Sequence, residues 1–404
     1  MTGKAYTARF NKPEGGKEML WKILIAFLRF FRLQNAIVIE MERGTRPNTE
    51  AVLREMLARK WNQKYLFVLV SDCPEKIAFL KAKHIKIIHQ PVTAKIDWKR
   101  IKFTWYKLRA VLILDENRQL KKFNPSTVRV FLTHGSPAKS LKKYYNCRPD
   151  ADYMLNQSEF WKSVNAEEFV IDEKKLVTLG YPRNDGLFDR RVDVKGLFET
   201  PCRKIVVWYP TYRQHSTDRS EGHYRGSMGI PVIHDEDTAL RINDLARKYD
   251  VLLVIKPHPS QDLSYIRNLS LDHIVFIDDD FLWDHGIQSY PFLAGTDALI
   301  TDYSSVFFDY LLTQKPIALT FEDYELYAEQ VGFAIDMDIM RSCSYMLDSA
   351  DDFDQFFRRL VEGDDPLRKK REEIMRLTNQ YTDGNSTQRV VDWLETLLPR
   401  GKGK

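Results

Sequence analysis

Several features that would place a chain quickly are scarce or missing here. Its 404 residues hold four cysteines, Cys73, Cys147, Cys202 and Cys343, none of them in a CxxC pair. That excludes a zinc knuckle and a thioredoxin-type motif, and predicts four reduced thiols in a cytosolic chain. No run of about 20 apolar residues occurs, so a membrane-spanning helix is not expected. The polar stretch Met1–Gly16 does not read as a signal peptide, and no cleavage site follows the apolar residues after it. Neither GxxxxGK[ST] nor GxGxxG is present, which removes a P-loop and a dinucleotide fingerprint. Charge of one sign does not dominate: 61 Lys and Arg face 56 Asp and Glu, for a net charge of +5. That mild excess does not argue for nucleic acid, but fits an acidic substrate or an anionic membrane face. There is no repeat of fixed period and no low-complexity segment.

What is present is an ordinary globular composition, 44% hydrophobic and 29% charged. The length suggests two or three domains and a core large enough to need no staples. Residues 19–34, MLWKILIAFLRFFRLQ, are apolar but interrupted by Lys22, Arg29 and Arg32. Two readings stand. One is an amphipathic helix in a membrane interface, with Trp21, Phe27, Phe30 and Phe31 in the acyl boundary and the cations at headgroups. The other is a helix packed on its own domain.

From residue 35 onward, short apolar runs alternate with helical spacing. Strands are expected at 36–40, 65–70, 85–88, 128–132, 153–155 and 176–179, with a helix at 49–59 and a helix running into a strand over 105–114. A second series has strands at 205–209, 251–256, 274–277, 298–301 and 317–320. Its helices are expected at 239–248, 304–313, 352–362, 366–379 and 388–398. Strands alternating with helices predict parallel, doubly wound α/β sheets. The break falls in the charged stretch Asp189–Cys202. The expected divisions are 1–34, 35–190, 200–385 and 386–404. Two such halves form a cleft, and ligands bind at the carboxyl ends of the strands.

The polar motifs fall at those strand ends. After VRVFL comes Thr133-His134-Gly135-Ser136-Pro137. Gly135 permits a sharp turn and close ligand approach, and His134 can take a proton from a hydroxyl near neutral pH. The plainer reading is a histidine satisfying loop carbonyls. After VLLVI comes Lys256-Pro257-His258-Pro259, where two prolines hold His258 on a stiff extended stub beside a cation. The plainer reading is a rigid turn with an incidental histidine. After ALIT, the segment Thr301-Asp302-Tyr303-Ser304-Ser305 opens a helix. Asp302 or Ser304 is expected to cap it, and Ser304, Ser305 and the first-turn N–H groups suit a diphosphate. Asp309, about one turn on, is placed to accept ribose hydroxyls. Plain N-capping accounts for the same residues. After IVVWY, the segment Pro210-Thr211-Tyr212-Arg213 supplies an arginine for bidentate phosphate contacts. Gly180-Tyr181-Pro182-Arg183-Asn184-Asp185 either brings Arg183 to the cleft or forms a structural turn.

Other clusters are weaker. Asp278-Asp279-Asp280 resembles a Mg²⁺-binding run but is expected to be a solvated loop. His84 and His89 lack a third ligand nearby, so no metal site is expected. His215 and His223 lie in a loop that suits a lid.

Together, HGSPAKSL, GYPRND, WYPTYR, KPHP and TDYSSVFFDYLLTQKP, in that order, resemble the CDP-glycerol glycerophosphotransferase family, the teichoic acid primases and polymerases and related capsule polymerases. The resemblance covers residues 35 to 390. It implies a GT-B-like fold of two Rossmann-like domains with a cleft between them, the first on the acceptor side and the second binding the CDP-alditol. It implies transfer of glycerol phosphate from CDP-glycerol, or ribitol phosphate from CDP-ribitol, to a lipid-linked saccharide or polymer, with CMP leaving. No cofactor, metal or nucleic acid is implied, and the place of action is the inner face of the cell membrane. The family histidines match His134 and His258. Its nucleotide-binding positions match Thr211, Arg213, Thr301, Ser304, Ser305 and Asp309, to which the strand-end reading adds Gly135, Arg183, Lys256 and Asp302. Thr133, Ala138 and Tyr212 depart from the family's usual Trp, Leu and Trp. They leave the reactive groups in place and bear on the acceptor. A GT-B glycosyltransferase using a nucleotide sugar, a nucleotide-sugar epimerase and a non-catalytic membrane scaffold are the alternatives.

Overall fold

The computed structural model describes residues 26, 35–41, 46–81, 83–89, 98–117, 120, 122–142, 150–211, 229–258, 261, 266 and 269–398. The segment 19–34 lies outside them apart from Ala26, which is helical and exposed.

The first sheet contains β1 (Ala36–Glu40), β2 (Leu66–Ser71), β3 (Ile85–His89), β4 (Leu112–Asp115), β5 (Val128–Phe131), β6 (Tyr153–Asn156) and β7 (Leu176–Thr178), in the order β3-β2-β1-β4-β5-β6-β7. The second contains β8 (Lys204–Tyr209), β9 (Val251–Ile255), β10 (Ile274–Phe276), β11 (Ala298–Thr301), β12 (Ile317–Leu319) and β13 (Tyr345–Met346), in the order β10-β9-β8-β11-β12-β13. The registered strand pairs run parallel. Parallel strands buried on both faces read as unbroken apolar runs, which is why AIVIE and VLLVI are buried throughout. In each sheet the order reverses beside the first strand, between β1 and β4 and between β8 and β11. Such switch points are where open α/β sheets take ligands.

The second sheet shows how alternation builds layers. Ile205, Val207, Leu252, Val254 and Leu299 join Phe307 and Phe308 in one core, whereas Val206, Leu253, Ile255 and Ile300 join Phe353 and Phe357 in another. Helix ends follow local chemistry. The Asp235 side chain accepts from Thr238 N at the start of Glu236–Lys248, which has Glu236 and Asp237 in its first turn and Arg247 and Lys248 in its last. Ser349 and Asp352 form a capping box on Ala350–Glu362, which ends at Gly363 in the left-handed region.

Two expectations need correction. The helix expected over 304–313 is Val306–Tyr310 followed by a tighter turn, Leu311–Thr313, stopped by Gln314 at φ 57°. The acidic run expected as a solvated loop instead starts a helix: Asp278 Oδ1 accepts from Phe281 N at 2.8 Å, and Asp279–Asp284 is helical. Acidic residues are favoured at that end by the exposed N–H groups.

The chain divides into two compact units that are not contiguous in sequence. The first holds residues 1–133, 150–154 and 391–404, and the second 134–149 and 155–390. Residues 134–149 and 155–190, expected with the first half, are thus grouped with the second, and the chain's last residues with the first. Among the described residues no helix is long and apolar enough to cross a membrane. Cys73, Cys202 and Cys343 are free thiols, and burial pushes Cys343 up to about 11. Cys147 lies outside the described residues.

Candidate active site

Three polar segments leave neighbouring strands of the second sheet: Pro210–Thr211 after β8, Lys256–His258 after β9, and Asp302–Ser305 after β11. Thr211 N lies 3.0 and 2.9 Å from the two Asp302 carboxylate oxygens, and its hydroxyl also donates to Asp302. The Thr301 hydroxyl donates to Tyr209 O at 2.8 Å. Lys256 Nζ sits 2.7 Å from Asp279 Oδ1 and 5.5 Å from the Tyr209 ring centre. Burial pushes the Tyr209 phenol well above its ordinary value, so it stays protonated. His258 is exposed, and Ser304 and Ser305 are half-buried at the start of Val306–Tyr310.

The HGSP segment is fixed within the same unit. Arg183 Nη1 donates to the His134 carbonyl, and Arg183 Nη2 lies 2.6 Å from Asp309 Oδ2. Gly135 has φ +139°, and a Cβ there would stand 2.7 Å from Arg183 Nη2 and 2.8 Å from Ser305 Cβ. Only glycine fits that conformation and that approach. Downstream, Ser140 N donates to Gly332 O at 2.9 Å, and Ala334 N to Ala138 O at 2.8 Å. Glu168 accepts from Leu141 N at 2.5 Å and from the Ser140 hydroxyl at 3.2 Å. These bonds explain why residues after 133 are grouped with the second unit.

His134, Gly135, Arg183, Ser305 and Asp309 are therefore brought together, and Thr211 joins Asp302. Some assigned roles change. Asp302 does not cap the helix and is fully buried, because its carboxylate receives Thr211. Thr301 is also fully buried, bonded to β8. Asp309 is 1% exposed and accepts from Arg183, from the Tyr290 hydroxyl at 2.6 Å and from Gln157 Nε2 at 3.3 Å. In this structure it faces protein donors. Arg183 is likewise bonded internally, with a side chain 5% exposed. Tyr212, Arg213, His215 and His223 lie outside the described residues, as does Pro259. Among the described residues no three His, Cys, Asp or Glu side chains gather as a metal ion requires.

Sequence reasoning missed Gln157, Tyr290 and Asn379. Gln157 directly follows β6, the same strand-end signal that found His134. Tyr290 and Asn379, which donates to Phe308 O at 2.9 Å, carry no comparable signal. It also missed carboxylates at the strand ends of the first unit. Glu40 Oε2 accepts from Glu116 N at 2.9 Å, and Glu116 Oε2 accepts from Asn48 N and Thr49 N, each at 3.0 Å. Asn48 Nδ2 in turn donates to Thr133 O at 2.8 Å.

Residues 25–396 match the family model described as CDP-Glycerol:Poly(glycerophosphate) glycerophosphotransferase. The teichoic acid glycerol-phosphate primase of Bacillus subtilis (strain 168) is 24% identical over 295 residues, covering 72% of this chain and 68% of that one. The teichoic acid ribitol-phosphate primase of Bacillus spizizenii is 26% identical over 276 residues, covering 66% and 64%. A variant of the wall teichoic acid polymerase TagF superposes with a TM-score of 0.68 at 17% identity, over 97% of this chain and 98% of that chain, a likeness of fold.

Proposed function

Because the chain belongs to the CDP-glycerol:poly(glycerophosphate) glycerophosphotransferase family, transferases acting on CDP-linked phosphate donors, we propose that it moves glycerol phosphate from CDP-glycerol to a hydroxyl of a lipid-linked saccharide or polyol-phosphate polymer in teichoic acid or capsule synthesis. The two parallel sheets are read as the Rossmann-like halves of a GT-B-like fold. The observation that carries the reading is the convergence of HGSP, GYPRND and TDYSS: Arg183 holds the His134 carbonyl and Asp309, and Gly135 closes on Ser305.

In this reading His134 is the general base. It removes the acceptor hydroxyl proton, and the oxygen attacks the β-phosphorus. The new O–P bond forms as the bridging P–O bond breaks, and CMP leaves with the electron pair. Ser304 and Ser305 receive the diphosphate, with Arg213 as its cation. His258 and Lys256, at the exit of β9, steady the charge that builds on the transferring group. Phosphoryl transfer rests mainly on positioning and charge stabilisation, which such a set supplies. The ribitol-phosphate primase relative supports CDP-ribitol as the second donor to try. Residues 19–34 are proposed to dock the enzyme on the cytoplasmic membrane face, where a lipid-linked acceptor lies.

The test is CMP release by the purified protein from CDP-glycerol, CDP-ribitol and a UDP-sugar, with membrane lipid extract present. CMP from a CDP-alditol alone is the expected outcome. Nucleotide released only from the UDP-sugar would move the chain to the glycosyltransferases.

A further inference from the structure

Positive charge is not spread evenly along this chain. From Lys76 to Arg109 there are ten Lys and Arg and a single acid, Asp97, a local charge of +9 on a chain whose total is +5. The rest of the chain is therefore net negative. The structure gathers part of this excess at one edge of the first unit. β3 is the end strand of its sheet and pairs with β2. The helix Trp98–Arg109 lies against one face of it, where Ile88 shares a core with Phe103 and Tyr106. Lys86 is two positions from Ile88 and so on the same face. It donates to the Tyr106 hydroxyl at 2.9 Å and lies 5.3 Å from that ring's centre.

The helix buries Phe103, Tyr106 and Leu108 and leaves Lys102 exposed. Lys102, Trp105 and Arg109 recur at the spacing of one helix face, and the Arg109 guanidinium stands 4.8 Å from the Trp105 ring centre. Lys81, Lys83, Lys86 and Lys102 are exposed, and none of them is in an ion pair among the described residues. Lysines elsewhere on the surface meet carboxylates: Lys142 with Glu167, Lys162 with Glu159, and Lys248 with Asp354. Lysine on an end strand guards it against pairing with another chain. That accounts for Lys86, but not for cations and an aromatic ring on the outer face of the helix beside it. The helix is also ill suited to enter a bilayer, which needs an apolar face in the acyl boundary. Its apolar residues are in the core, and the large apolar side chains exposed among the described residues, Val170, Phe188, Leu240 and Leu377, lie elsewhere. Unpaired cations beside rings suit a flexible chain that alternates phosphates with polyol units, since cations meet the phosphates and rings take the C–H faces.

We propose that β3, the turn before it and the outer face of the helix Trp98–Arg109 form a docking surface for a poly(polyol phosphate) chain. It uses none of the candidate active-site residues. The identity of the polymer rests on the phosphotransfer reading above, whereas its binding can be measured without turnover. A chain held there raises the local concentration of its own end, so a long acceptor gains over a short one.

The test compares the wild-type protein with the triple variant Lys83→Gln, Lys86→Gln, Lys102→Gln. The probes are lipid-free poly(glycerol phosphate) and phosphatidylglycerol vesicles. Wild-type affinity for the polymer is expected to fall steeply with salt, as counterions released from the phosphates require. In the variant the dissociation constant should rise by about 100-fold, at about fivefold per cation, and the salt slope should drop by about one per cation. Vesicle binding should be the same in both proteins. In CMP release, KM for the polymeric acceptor should rise, while kcat and KM for a short soluble acceptor stay within about twofold. Lys174→Gln, Lys175→Gln and Lys369→Gln together remove the same charge elsewhere and should leave polymer affinity unchanged. An equal loss in that control would mean that the polymer reads net charge, and would overturn the proposal. Equal polymer affinity in the wild type and the first triple variant would sink it too. So would lost vesicle binding with polymer binding intact, which would make the edge a membrane surface. If the wild-type protein releases no CMP from a CDP-alditol but the variant still loses the polymer, the phosphotransfer reading fails and the docking surface stands.

Discussion

A general base contributes only when its imidazole stands beside the proton it takes, and His134 stands on a loop whose backbone is held at the carbonyl. Its replacement by alanine is predicted to lower kcat by about 10²–10⁴-fold. Steady-state CMP release checks this, and near-wild-type turnover would remove His134 from the chemistry. His134, Thr211, His258 and Ser305 were picked out as polar groups after apolar strands, yet the same signal did not mark Gln157 after β6 or the strand-end carboxylates of the first unit. Role was less legible. Asp309 reads as a ligand residue because it lies one turn into a helix beside a candidate phosphate site. In the structure it is 1% exposed and bound by the Arg183 fork. No local pattern announces that, since its partners lie 126, 152 and 19 residues away.

At the scale of elements, long-range caps do what local ones do. Asp185 accepts from Ser386 N at 2.8 Å and Thr387 N at 2.7 Å, the first turn of Ser386–Leu397. Asp185→Ala is predicted to cost about 1 kcal/mol, as lost caps do, and Asp185→Asn distinctly less because an acceptor remains. Urea midpoints of the three proteins measure it. One strand-end carboxylate carries a pH dependence. Asp115, at the end of β4, is fully buried against Arg129, 2.7 Å away. Burial, only partly offset by Arg129, pushes its carboxyl up to about 7. Unfolded, an aspartate releases its proton near pH ~4. Between those values the folded chain binds the extra proton. The stabilisation from this group is therefore complete below the unfolded value and is lost as pH rises through the folded one. Asp115→Asn should flatten the fall in stability across that window, and an unchanged slope would show that Asp115 does not titrate there. Strands were legible because buried parallel strands are short apolar runs. The helix Ser289–Gly295 was not, because Pro291 and Gly295 break its pattern in sequence while Tyr290, Phe292 and Leu293 bury its side chains.

For the whole molecule, the main fact is that neither unit is a continuous stretch of chain. The first unit receives residues 150–154 as part of β6, and its last piece, from Val391, comes from the chain's far end. Asp392 pairs with Arg59, and the Trp393 ring meets Tyr153 edge-on at 5.3 Å, all within that unit. Val391 and Leu394 are fully buried and Leu398 is 5% exposed. Burying an aliphatic side chain is worth about 1.5–3 kcal/mol, so the three together are worth about 4–9 kcal/mol. That is comparable to the whole stability of an ordinary domain, about 5–15 kcal/mol. A chain ending at residue 190 holds all the strands of the first sheet but lacks this closing helix. It is predicted to lack a cooperative thermal transition. Supplying residues 386–398, joined by a flexible linker, should restore one. A sharp transition in the 1–190 fragment alone would mean that the first unit is complete without the end of the chain. The break expected near residues 190–200 would then be the folding boundary after all. The apolar pattern marks where strands and helices form, but not which sheet a distant helix completes, because that depends on contacts between residues such as Arg59 and Asp392, which are 333 positions apart.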